Sequence, residues 1–196
     1  MPEPLTPNQV RNAIQASIET KQLLMEQCSD AIHACGTVLA QAARENNLIM
    51  LCGNGGSAAD AQHIAAELVV RLRSSVNRRA IAAMALTVDT SILTAGGNDF
   101  GFDRVFARQV EAFGKPGSIL IAISTSGNSA NVIKAVEQAK TQGVSVIGLL
   151  GGSGGKLGSI CDAAVCVPSD VTARIQESHI LVGHIWCEMI EEAILP

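Results

Sequence analysis

Five stretches of this chain are apolar continuously and not at alternate positions: Leu48–Cys52, Ala80–Leu86, Ile119–Ile123, Val144–Leu150 and Ala163–Val167. A strand with one wet face alternates, whereas one covered on both faces does not, so these runs predict a parallel sheet sandwiched between helices. The stretches Ser57–Leu72, Asp103–Phe113 and Ala130–Gln142 are long enough to be the crossover helices that parallel pairing requires. Thr172–Leu195 reads as a final helix with Ile175, His179/Ile180, Val182, Trp186, Met189/Ile190 and Ile194 on apolar-rich faces. Before the first strand, Val10, Ile14, Ile18, Leu24/Met25, Cys28, Ile32, Cys35, Val38/Leu39 and Ala42 recur at helical spacing over Asn8–Glu45. Their period suits a bundle seam, and Ser29-Asp30 reads as a cap dividing the segment into two helices. The expected architecture is α/β: a five-stranded parallel doubly wound sheet with an N-terminal helical extension over residues 1–45, part of one domain with residues 46–196.

Composition narrows the function. The 196 residues are 47% hydrophobic and 16% charged, too apolar for a disordered chain and too sparsely charged to cover a lone monomer, so an oligomer is expected. The net charge of −4, the absence of Tyr and the lack of a broad Lys/Arg cluster argue against a nucleic-acid partner. No run is long enough to cross a membrane, and Met1–Gln9 lacks the basic and apolar regions of a signal peptide. The six cysteines form no C-x-x-C pair and sit mostly in apolar runs, which predicts reduced, buried thiols in a cytoplasmic protein.

Three loops rich in Gly, Ser, Thr and Asn follow strands, where an open parallel sheet binds ligands. They are Gly53–Ser57, Ser124–Ser129 and Gly151–Gly155. Ser124–Ser129 carries four hydroxyls in six residues directly before a helix, a pattern that receives a phosphate without a basic side chain. The third loop reads as a flexible connection with no chemical role. Gly53, Gly55 and Ala58 also spell a dinucleotide fingerprint, but the nearest ribose-binding acid, Asp89, lies about 36 residues beyond Gly53 instead of roughly 20. On the helix after the first loop, His63 and Glu67 share a face at i, i+4, as a metal-ligating or acid–base pair would. Partners from the last helix are Gln176, His179 and His184, with Glu177 nearby; helical geometry alone does not choose between the two histidines.

The segments Cys52–Ser57, Asn98–Gly101, Ser124–Lys134 and Arg174–Glu177, in that order, resemble the bacterial phosphoheptose isomerases over essentially the whole chain. The resemblance implies a sugar-isomerase (SIS) domain, here residues 46–196, and a homotetramer whose N-terminal helices pack between subunits. Active sites then lie at subunit interfaces. It implies conversion of sedoheptulose 7-phosphate to D-glycero-D-manno-heptose 7-phosphate, the first committed step toward lipopolysaccharide heptose. Carried over by position, His63, Glu67, Gln176 and His184 match the family's zinc ligands, one Zn2+ per subunit. Glu67 and His184 match its acid–base residues. Asn54, Gly55, Gly56, Glu67, Asn98, Asp99, Ser124, Thr125, Ser126, Ser129 and Gln176 match its sugar-phosphate contacts. A non-catalytic relative that binds the replication initiator is the alternative; it lacks the acid at the Glu67 position and the histidine at the His184 position.

Overall fold

The computed structural model describes residues 6–195, so most of Met1–Gln9 lies outside the described residues. Five strands, β1 (Ile49–Cys52), β2 (Ala83–Ala85), β3 (Ile119–Ser124), β4 (Ser145–Gly151) and β5 (Ala163–Val167), form one sheet in the order β2-β1-β3-β4-β5. Every pairing is parallel. Helices α1 (Pro7–Arg44), α2 (Gly56–Val69), α3 (Thr90–Phe100), α4 (Val105–Phe113), α5 (Ala130–Thr141), α6 (Gly155–Ile160) and α7 (Thr172–Ile194) surround it. The expected doubly wound α/β class is the one observed.

Successive strand side chains point to opposite faces, and both faces are dry. Ile49, Leu51, Ile121 and Leu149 pack beneath α1, α2 and α7, whereas Met50, Cys52, Leu120 and Val146 pack beneath α4, α5 and α6. That is why the strands read as unbroken apolar runs. Trp186 of α7 is 1% exposed and ties α7 to α1 by donating from Nε1 to the Ile32 carbonyl at 2.9 Å.

Four expectations are corrected. The N-terminal segment is one helix of 38 residues, started by a Thr6–Gln9 capping box with Pro7 in the first turn. Ser29 does not cap a second helix: its hydroxyl bonds back to the Met25 carbonyl, and the buried series Leu24, Cys28, Ile32, Cys35, Leu39 runs straight through. β2 is shorter than Ala80–Leu86, because Ile81 N–H is already taken by the Leu68 carbonyl at the end of α2. The stretch before Asp103 holds the unforeseen helix α3, capped by the Asp89 carboxylate on Ile92 N–H. Asp89 is therefore a helix cap, and the weak dinucleotide reading loses its nearest candidate acid.

The fourth correction concerns the third glycine loop, which is packed tightly rather than flexible. The Gly127 and Leu157 main chains are joined at 3.0 Å, and Asn128 Oδ1 accepts from Lys156 N–H at 3.1 Å. A Cβ on Gly127 would lie 1.9 Å from the Gly154 carbonyl oxygen. The glycines there permit close approach of two backbones and lead directly into α6.

Candidate active site

The strand order reverses direction between β1 and β3, which opens a crevice at the carboxyl ends of the strands. Two of the predicted loops meet there. Asn54 of the first loop and Asn131 of α5 exchange two amide hydrogen bonds of 2.8 Å each. Ser124 Oγ and Ser129 Oγ lie 3.0 Å apart, and Ser129 is the N-cap of α5 without a side-chain bond to the helix amides. The start of a twelve-residue helix thus faces the crevice beside a pair of hydroxyls, a setting suited to an anion. Asn54, Gly55, Ser129 and Asn131, together with Phe102 and Asp103, border an open cleft of about 530 Å³. Thr125 and Ser126, between Ser124 and Ser129 in the chain, line an adjoining cleft of about 230 Å³ with Ser153 and Asp170.

The second half of the site lies between α2 and α7, which run side by side in the same direction. Gln176 covers the start of α2 so closely that a Cβ on Gly56 would sit 2.3 Å from its Nε2. About two turns further on, Gly183 admits Ile64; a Cβ there would lie 2.5 Å from Ile64 Cδ1. This tight packing brings His184 Nε2 to 2.9 Å from His63 Nε2, with the rings edge-on, and leaves Glu67 Oε1 3.4 Å from His63 Nε2. His63 is half exposed and Glu67 mostly covered.

The structure separates the two histidines that the helix pattern could not. His179 is fully buried, with Nε2 at 3.0 Å from the Leu150 carbonyl and Nδ1 without a partner. Burial pushes its pKa down to about 4, and the bond to Leu150 only partly opposes this. The folded state therefore resists a proton that the unfolded chain accepts near pH 6.5. Stability is intact above pH 6.5 and falls, by up to about 3 kcal/mol, as the pH drops toward 4. Urea unfolding of the wild type and His179→Gln at pH 7 and pH 4.5 tests this. The wild type is expected to lose more stability than the variant; equal losses would remove His179 as the cause.

Glu177 is engaged elsewhere, held by Arg174 and near Lys21, and the Arg174 hydrogen bond keeps its carboxyl below the ordinary range. Asn98 and Asp99 stand exposed on α3, where Asn98 Nδ2 donates to Asp99 Oδ1 at 2.7 Å. No hydrogen bond among the described residues ties that pair to the crevice. The sequence reading missed Asn131, Asp103 and Asp60 as site residues. Asp60, one turn before His63, has Oδ2 buried without a partner, and burial raises its carboxyl pKa to about 6, with His63 pulling it back. Its i, i+3 spacing from His63 was the available signal.

Two imidazole nitrogens, a carboxylate and a carboxamide suit zinc chemically. Tetrahedral zinc places two nitrogens about 3.3 Å apart, a few tenths of an ångström beyond the 2.9 Å seen here. Among the described residues no three His, Cys, Asp or Glu side chains already converge as a closed cage, so closing one requires side-chain rotation. Asp60, one turn before His63 and close enough to feel its charge, keeps a buried carboxylate oxygen unpartnered, the kind of group that supports a metal-ligating histidine. On these grounds the residues fit the ion.

A parallel sheet with phosphate-suited hydroxyls at its switch point defines the class, and the SIS domain family model matches residues 13–151. A phosphoheptose isomerase of a Nitratiruptor species is 53% identical over 175 residues, which cover 89% of this chain and 92% of that protein. The solved phosphoheptose isomerase of Neisseria gonorrhoeae is 44% identical and superposes with a TM-score of 0.89 over 94% of this chain and 98% of its own. That of Francisella tularensis is 35% identical with a TM-score of 0.91, covering 96% and 100%. Within the SIS class, the chain belongs to the phosphoheptose isomerase family, a family of enzymes.

Proposed function

We propose that this enzyme converts sedoheptulose 7-phosphate to D-glycero-D-manno-heptose 7-phosphate through an enediol(ate), feeding the heptose of lipopolysaccharide. The observation that carries the reading is the meeting of His63, Glu67 and His184 between α2 and α7, on the helix that leads out of the first glycine loop. Ketose–aldose exchange moves a proton from C1 to C2 and needs a base at the carbons and an acid–base group at the oxygens. Glu67 takes the carbon-bound proton and returns it to the neighbouring carbon. His184 gives and takes the oxygen-bound proton from the other side. Ser124, Thr125, Ser126 and Ser129 hold the phosphate, while Asn54, Gly55, Gly56 and Gln176 contact the sugar, so that binding far from C1 serves positioning. His63, Glu67, Gln176 and His184 would hold zinc, which when bound polarises the carbonyl and stabilises oxyanion charge.

A homotetramer completes this reading. Val10, Ile14 and Ile18 form an exposed apolar line on α1, and Phe100, Phe102 and Phe113 are exposed around α3 and α4. Asn98 and Asp99 on α3 would then serve a neighbouring subunit's site. No helix of the described residues is long and apolar enough to cross a membrane.

The test is turnover of sedoheptulose 7-phosphate by purified protein, before and after chelation and with zinc restored. Turnover lost to chelator and regained with zinc is expected. Turnover indifferent to metal would keep the isomerase and remove zinc from it. An inactive, folded tetramer would leave the protein-binding alternative.

A further inference from the structure

Besides the packing at Gly56 and Gly183, α2 and α7 are joined by a buried ionic clasp. The last carbonyls of a helix have no partner within it. At the end of α2, the Glu67 carbonyl accepts from Arg78 Nη2 at 2.7 Å, and the Leu68 carbonyl accepts from Arg78 Nη1 at 2.9 Å. The same guanidinium donates from Nε to Glu191 Oε1 of α7 at 3.1 Å, with Nη2 also 3.1 Å from that oxygen. Glu191 further accepts from Leu72 N–H at 3.0 Å and from Arg73 Nε at 3.0 Å. The side chains of Arg78 and Glu191 are 1% and 0% exposed. Burial alone would push the Glu191 carboxyl up, yet the bonds from Arg73, Leu72 and Arg78 hold it below its ordinary value.

The positions matter for the site. Arg78 grips the main chain of Glu67 itself. Glu191 stands two helical turns after His184, on the same face of α7. One guanidinium therefore spans the backbone of one acid–base residue and the helix that carries the other. Glu67 lies in the last turn of α2, where a helix frays most readily, and Arg78 occupies the carbonyls that fraying would release.

We propose that Arg78, locked onto Glu191, is a positioning residue for the isomerase: it fixes the end of α2 and so sets where Glu67 stands relative to His63 and His184. The inference rests on the functional reading above. A lysine keeps the charge but cannot reach two carbonyls and a carboxylate in one plane, so Arg78→Lys isolates the geometry.

Arg78→Lys is expected to lower kcat by tenfold or more, with KM changed less than about twofold, and to weaken zinc binding in chelator competition by a similar factor. Both are measured well below its unfolding temperature. Should Arg78→Lys not fold, Arg78→Met with Glu191→Leu replaces the pair by apolar side chains of similar bulk. It carries the same expectation, because the Glu67 carbonyl is again released. A lower unfolding temperature with unchanged kcat and zinc affinity would make the clasp merely structural and overturn the proposal. If the wild type does not turn over sedoheptulose 7-phosphate, the zinc competition decides alone: weakened binding upholds the positioning role while the reaction assignment falls, and unchanged binding overturns it.

Discussion

Glu67→Gln should fold and assemble as the parent does and lose between a hundredfold and ten-thousandfold in kcat, the range typical of removing a positioned general base. The exchange is isosteric, and among the described residues the Glu67 carboxylate has one polar partner, His63 at 3.4 Å. Its main-chain carbonyl, held by Arg78, is unaffected. Retained stability is therefore the expected background for lost activity. The glutamine keeps an oxygen facing His63 but has no lone pair basic enough to remove a proton from carbon. A kcat within fivefold of the parent, with unfolding temperature unchanged, would remove Glu67 from the proton transfer. A large drop in unfolding temperature would instead mark the carboxylate as a structural group that the packing does not reveal.

The reason Glu67 and His63 could be picked from the sequence is that both lie on one helix, where spacing defines a shared face. His184 was beyond that logic. Its approach to His63 depends on Gly183 admitting Ile64, a contact between segments about 120 residues apart that periodicity does not encode. The strands were legible for the complementary reason: burial on both faces imprints a run of apolar residues locally. α3 left no such imprint, because none of its residues is buried and Gly96-Gly97-Asn98 disfavours helix in isolation. Ser29-Asp30 misled for a different reason: a hydroxyl that caps a new helix and one that bonds back to the preceding turn look the same in sequence. Asn131 was hidden likewise, since only its reciprocal pairing with Asn54 makes it part of the crevice.

The other large effect is expected where the second loop, at Gly127, packs on the third, read from sequence as a flexible connector. Gly127→Ala should raise KM for the phosphorylated substrate by roughly ten- to a hundredfold and lower the unfolding temperature. Gly127 has a φ of +64°, which costs an alanine about 1–2 kcal/mol. The larger difficulty is that its Cβ would lie 1.9 Å from the Gly154 oxygen and 2.3 Å from the Gly154 carbon, both main chain. No rotamer relieves that contact, so one loop must move by more than an ångström. The loop that moves is either Ser124–Ser129 itself or the one holding it through Leu157 and Lys156. Displacements of about 1 Å can cost a hundredfold in catalysis. Gly152→Ala is the matched control: its φ of +56° carries a similar backbone cost, but the nearest atom is an Asp170 carboxylate oxygen at 3.2 Å, the free end of an exposed side chain. If both variants raise KM equally, left-handed strain is the cause and the two-loop contact is not. If only Gly127→Ala does, and inorganic phosphate loses inhibitory power in proportion, the glycine loop is what shapes the phosphate seat.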